Sequence, residues 1–126
     1  MIFTKTAGMI CFFLLITLSG CKKEESVSFA QDVTPIINKY CIECHVAGGK
    51  GFEASGFNME SYDGLMKGTR NGPMIIAGDS AGSNMLVLME GRADPSISMP
   101  HGKMKGATGK ELETIRAWID QGAKNN

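Results

Sequence analysis

The chain has 126 residues, with 13 basic and 13 acidic side chains and a formal charge of zero. That length suits one small domain behind a targeting segment. The even balance excludes an electrostatic footprint for nucleic acid or for a strongly charged docking partner.

Residues 1–20 read as an address. Lys5 supplies a positive start, and residues 7–18 form an apolar run too short to span a bilayer comfortably and without a stop-transfer flank. Leu18-Ser19-Gly20-Cys21 resembles a bacterial lipobox, so Cys21 is expected to carry a lipid after cleavage. An ordinary cleaved signal is the alternative. Residues 21–27 then form a lipidated polar tether, with Lys22, Lys23, Glu24 and Glu25 resembling a surface-export signal of some Gram-negative lipoproteins. The expected location is the cell envelope, anchored to a membrane and facing the periplasm or the cell surface. The folded domain is expected over residues 28–126.

From Ser28 the pattern turns helical. Phe29, Val33, Ile36, Ile37 and Tyr40 recur at intervals of three and four and mark one apolar face, with Ser28 as a candidate cap. Pro35 sits too deep to be neutral, because its ring meets the carbonyl four residues back. The helix either kinks there or begins anew near Thr34.

Tyr40 leads directly into Cys41-Ile42-Glu43-Cys44-His45, a C-x-x-C-H pattern. This spacing is that of covalent haem attachment. Two thiols add across the haem vinyl groups as thioethers, and the adjacent imidazole reaches the iron as an axial ligand. A thioredoxin-like pair would instead open a helix in a βαβ setting, and a zinc site would need a fourth ligand, for which only His101 remains. The cysteines account for themselves: Cys11 leaves with the signal, Cys21 is acylated, Cys41 and Cys44 hold haem, and none is left for a disulfide. Export to an oxidising compartment, where such haem is attached, agrees with the motif.

Residues 46–58 are rich in glycine and are expected to form a flexible loop over the haem edge. Residues 61–67 read as a short helix stopped by Gly68. Asn71-Gly72-Pro73 is a turn, Met74-Ile75-Ile76 an extended piece, and Gly78-Asp79 a second turn. Ser83 is the expected cap of a helix reaching Glu90, with Met85, Leu86, Leu88 and Met89 inward and Gly91 beyond. Residues 92–106 are irregular. The last helix carries a capping box, Thr108 with Glu111, a stripe of Leu112, Ile115, Trp118 and Ile119, and Gly122 as its stop.

One histidine leaves the sixth position of a haem iron to be filled. Met59, Met66, Met74, Met85 and Met89 sit at apolar positions, where methionine is usually core filler. Met99 lies in a loop, held extended by Pro100, and is the expected ligand, with Met104 and His101 as alternatives. Arg70 is either a propionate partner or a surface arginine. Asp79, Asp94 and Glu113 are scattered and make no catalytic constellation.

In this order, residues 29–37 leading into the C-x-x-C-H turn, residues 61–68, Gly72-Pro73 through Gly78-Asp79-Ser80, Met99-Pro100 and residues 116–123 carry a resemblance over nearly all of the chain after the signal. The chain resembles a small monohaem cytochrome c of the class I fold, of the planctomycete-type cytochrome c domain. His101 stands where many relatives carry a second proline. The resemblance implies an all-α cytochrome c-like fold, three or more helices around one covalently attached haem c, with the first and last helices crossing. It implies an electron carrier rather than an enzyme, with His45 and Met99 on the iron and redox proteins as partners. Two alternatives stay open: an accessory haem module of a larger exported enzyme, and a haem sensor or enzyme with a displaceable sixth ligand.

Overall fold

The computed structural model describes residues 25–102 and 104–126. The expected signal at residues 1–20, the lipid-bearing Cys21 and residues 22–24 of the tether lie outside them. Ser28 opens the first helical segment: its hydroxyl accepts from Gln31 N at 3.2 Å, while its own N–H donates to the Asp32 carboxylate at 2.8 Å. A π-helical turn, Phe29–Val33, comes next and hands over to α1, Thr34–Tyr40, with Pro35 in its first turn. Proline is tolerated there because it lies in the first turn of α1, where the wider turn before it relieves the clash with the preceding carbonyl. Of the two outcomes open at Pro35, the new start near Thr34 is the one formed.

The remaining helices are α2, Lys50–Ser55; α3, Tyr62–Lys67; α4, Asn84–Met89; and α5, Gly109–Asp120. The described residues hold no β-strand, only isolated bridges between Thr69 and Gly72 and between Ile76 and Asp79 at the two expected turns. No helix among them is long and apolar enough to cross a membrane.

Two expectations are corrected. Residues 46–58 are not a flexible loop but a turn and then α2, which docks back on the C-x-x-C-H turn through a bond from Phe52 N to Cys44 O. Ser83 stands at the start of α4 without capping it. Its buried hydroxyl donates to Asp79 O at 2.7 Å and accepts from Ile76 N at 2.9 Å, closing the preceding turn instead.

The core forms where the first and last helical segments meet. Val33, Ile36 and Ile37 pack with Ile115, Trp118 and Ile119, joined by Leu65, Ile75 and Leu86. The Trp118 ring is 5.4 Å from that of Phe29, which in turn meets Tyr62 edge-on at 5.2 Å. Trp118 Nε1 donates to Lys124 O at 2.8 Å, so the indole is buried without an orphaned donor. Residues near Asn126 tie the same corner: Ala30 N donates to Asn126 O at 2.9 Å and Val27 N to the Gln121 side chain at 2.8 Å.

Glu111 links α5 to the end of α1. It completes the capping box with Thr108, accepts from Tyr40 Oη at 2.8 Å, and pairs with Lys39 Nζ at 3.0 Å. The Thr108 N–H first, then Lys39, hold its carboxyl well below the usual range, from 4.5 to about 2.

This packing sets two expected outcomes. Trp118→Ala is expected to cost about 3–5 kcal/mol in urea unfolding, as for a large buried aromatic, and a loss under about 1 kcal/mol would contradict its place in the core. Glu111 has a depressed folded pKa, so its contribution is present above its ordinary 4.5 and is lost as pH falls through about 2. The gap in thermal midpoint between wild type and Glu111→Gln should therefore narrow between those two pH values; a constant gap would show that the ionised carboxylate contributes nothing.

Candidate haem site

The C-x-x-C-H turn is an extension of α1. Cys41 N and Ile42 N both donate to Ile37 O, at 2.9 and 3.1 Å, and Cys44 N and His45 N both donate to Cys41 O, at 3.1 and 3.0 Å. These bonds wind residues 41–45 into one tight turn. The next segment of chain takes up its outward carbonyls: Phe52 N donates to Cys44 O at 3.0 Å and Met59 N to His45 O at 2.8 Å.

The His45 ring is buried, 8 % exposed, with Nδ1 3.1 Å from Phe57 O and the Phe57 ring edge-on at 5.4 Å. A carbonyl oxygen only accepts, so Nδ1 carries a proton, and in the neutral ring the lone pair is then on Nε2. That tautomer is the one an axial imidazole needs, with the far nitrogen fixing its orientation.

Cys41 and Cys44 are free and half-buried. Burial pushes the Cys41 thiol up to about 11, with the neighbouring Cys44 adding to the shift. A thiol so poised stays protonated at neutral pH, the opposite of the activated thiolate of a thioredoxin-like pair. Among the described residues no group of three or more His, Cys, Asp or Glu converges as a metal site would require.

Two cavities open on this turn, of about 440 and 260 Å³, and Tyr40, Cys41, His45, Ser55 and Met99 line both. They are two halves of one crevice, within the roughly 300–1,000 Å³ common for sites that bury a large ligand. The larger half is walled by apolar side chains, among them Phe57, Met59, Met74, Met85 and Met89, with Thr69, Asn71 and Asn84 as polar members. The smaller half adds Cys44, Gly51, His101 and Met104. Two free thiols, an imidazole with an available Nε2 and a largely apolar crevice beside them fit a covalently held haem.

The structure brings Cys41, Cys44, His45 and Met99 to one crevice. Met99 N donates to Leu88 O at 3.1 Å, pinning its loop to the end of α4. Met104 is 42 % exposed and His101 is also exposed, and both line the smaller half only. Arg70 turns away: its guanidinium donates to Glu53 O and Ala54 O at 2.9 and 2.8 Å, capping α2. Asp79, Asp94 and Glu113 are exposed.

Sequence reasoning missed α2 and the Phe57 carbonyl. A backbone acceptor leaves no sequence signal. The glycines after the motif did leave one, because a Cβ on Gly49 would meet Cys44 O at 2.5 Å. Gly49 and Gly51 are packing glycines, while Gly48 and Gly56 take the left-handed conformation that favours glycine in turns.

Helices packed around a C-x-x-C-H turn and its crevice define an all-α cytochrome c-like fold. The family described as Planctomycete cytochrome C matches residues 41–103, half of the chain, and the protein belongs to that family. Membership makes it a cytochrome c-type, haem-binding electron-transfer domain and implies haem c as its cofactor. No curated protein and no solved structure matches the chain.

Proposed function

We propose that this protein is a membrane-anchored electron carrier, not an enzyme, with one haem c joined to Cys41 and Cys44 and ligated by His45 and Met99. The observation that carries the reading is the imidazole itself. His45 is buried beside both thiols, with its Nδ1 proton committed to Phe57 O and Nε2 free.

Haem supplies the one-electron couple of its iron. The chain supplies everything that tunes it. Thioethers at Cys41 and Cys44 would prevent loss of the group, and the bond to Phe57 O holds the imidazole at a fixed angle. Met99 is favoured over its rivals because it lines both halves of the crevice on an anchored loop, whereas Met104 and His101 are exposed at one end. A thioether ligand favours the reduced iron and raises the potential. With His45 and Met99 both holding the iron, substrate would have no access to it. Cys21, as the lipid-bearing residue, would tether the domain to the cell envelope through residues 21–27, leaving redox proteins as its partners.

Protein matured with a haem-attachment system is expected to stay red through acid-acetone extraction and to show the weak far-red band of sulfur-to-iron charge transfer. Met99→Ala should abolish that band, lower the potential and open the reduced protein to carbon monoxide, while Met104→Ala changes none of the three. Freely extractable colour, or carbon monoxide binding by the wild type, would sink the carrier reading.

Cys21→Ser should shift the protein from the membrane fraction to the soluble exported fraction. Unchanged membrane association would rule out the lipid.

A further inference from the structure

The first turn of α2 comes closer to the candidate axial ligand than any side chain would allow. A Cβ on Gly51 would stand 2.8 Å from His45 Cε1, 2.9 Å from His45 Nε2 and 2.9 Å from Cys44 O. Contacts under 3.0 Å are not sustained by Cβ atoms, so one of these groups would have to move. Gly51 lies inside a helix with no need of a left-handed conformation, where glycine is the poorest choice after proline. Its presence is therefore explained by the approach and not by the backbone.

The approach is held on three sides. Phe52 N donates to Cys44 O at 3.0 Å, Ser55 Oγ donates to Gly51 O at 2.6 Å, and Arg70 clasps the far end of α2. The Cys44 backbone is fixed by its own turn. The imidazole is held by one hydrogen bond, to Phe57 O. A methyl group at position 51 would therefore press on the Cε1–Nε2 edge of the ring, the edge that presents the free lone pair.

We propose that Gly51 is a positioning residue for His45: its missing side chain lets α2 brace the imidazole without obstructing Nε2. The inference rests on His45 being the axial ligand and deepens that reading. Glu53 and Ala54, exposed on the same helix, do not share the constraint.

The test compares matured wild type, Gly51→Ala and Gly49→Ala. A Cβ on Gly49 would strike Cys44 O at 2.5 Å, Cys44 C at 2.9 Å and Val46 O at 3.1 Å, but no atom of the ring. Gly51→Ala is expected to keep its haem through denaturing electrophoresis, because both cysteines remain. Its low-spin fraction should fall by at least half. Gly49→Ala should lower the thermal midpoint while keeping the wild-type spectrum. A Gly51→Ala spectrum identical to wild type would overturn the proposal, as would an equal spectral change in both variants. A wild type lacking low-spin, histidine-ligated haem would instead refute the ligand assignment on which the inference rests. If Gly51→Ala yields no holoprotein, the yield of Gly49→Ala decides: holoprotein with the wild-type spectrum supports a constraint set by the ring, and equal loss of holoprotein in both variants overturns it.

Discussion

The geometry of the site depends on how few degrees of freedom the His45 imidazole keeps. An imidazole on an exposed turn rotates about its χ2 and exchanges tautomers. Here the ring is buried, its Nδ1 proton is committed to Phe57 O, and the Phe57 ring closes one edge. The carbonyls of Cys44 and His45 are occupied by Phe52 N and Met59 N. All of these restraints come from residues 52–59, close behind the motif in the chain. The chain folds back on its own attachment turn and restrains it through contacts close in sequence. A short helix with glycine inside it has little intrinsic stability, so α2 exists because it is docked on that turn and not because its residues favour a helix.

The attachment turn is equally fixed from behind. It continues α1, whose inner face is locked into the core by Val33, Ile36 and Ile37 against α5. Tyr40, the last residue before Cys41, lines the crevice and reaches Glu111 with its hydroxyl. One carboxylate thus joins the start of α5, the end of α1 and the crevice wall. A site built on packed helices at both ends changes shape little when its charge changes, which is the property a carrier of electrons requires in the proposed reading.

Much of this was legible because it depends on residue types at fixed spacings. Thr108 and Glu111 announced the start of α5, Ser61 and Gly68 bracketed α3, and the two apolar stripes that needed cover found each other. What failed did so where a residue has two uses. Glycine marks either freedom or close approach, and only the position of the Cys44 carbonyl and the His45 ring tells which applies at Gly49 and Gly51. Serine before a helix is either a cap or a partner for the loop behind it, and Ser83 is drawn to Ile76 and Asp79. Arg70 was undecided between two roles in the sequence and takes a third, on the carbonyls of a helix the sequence did not announce.

The abundance of methionine around the crevice raises the question of what would single one out. Met59, Met74, Met85 and Met89 all line the larger half. Met59 is tied through its N–H to His45 O, on the attachment turn itself. Met85 N is bonded to Met74 O, joining α4 to the short extended piece. Met59 and Met85 are buried among aliphatic side chains, where a flexible thioether serves to fill irregular space. Met89 closes the last turn of α4. Met99 belongs neither to a helix nor to the extended piece, and it is not bonded to the attachment turn. Its N–H is bonded to Leu88 O, and the residue lines both halves of the crevice. In the proposed reading a ligand must sit on an anchored segment that opens on the whole crevice, and among these methionines Met99 is the one that lines both halves.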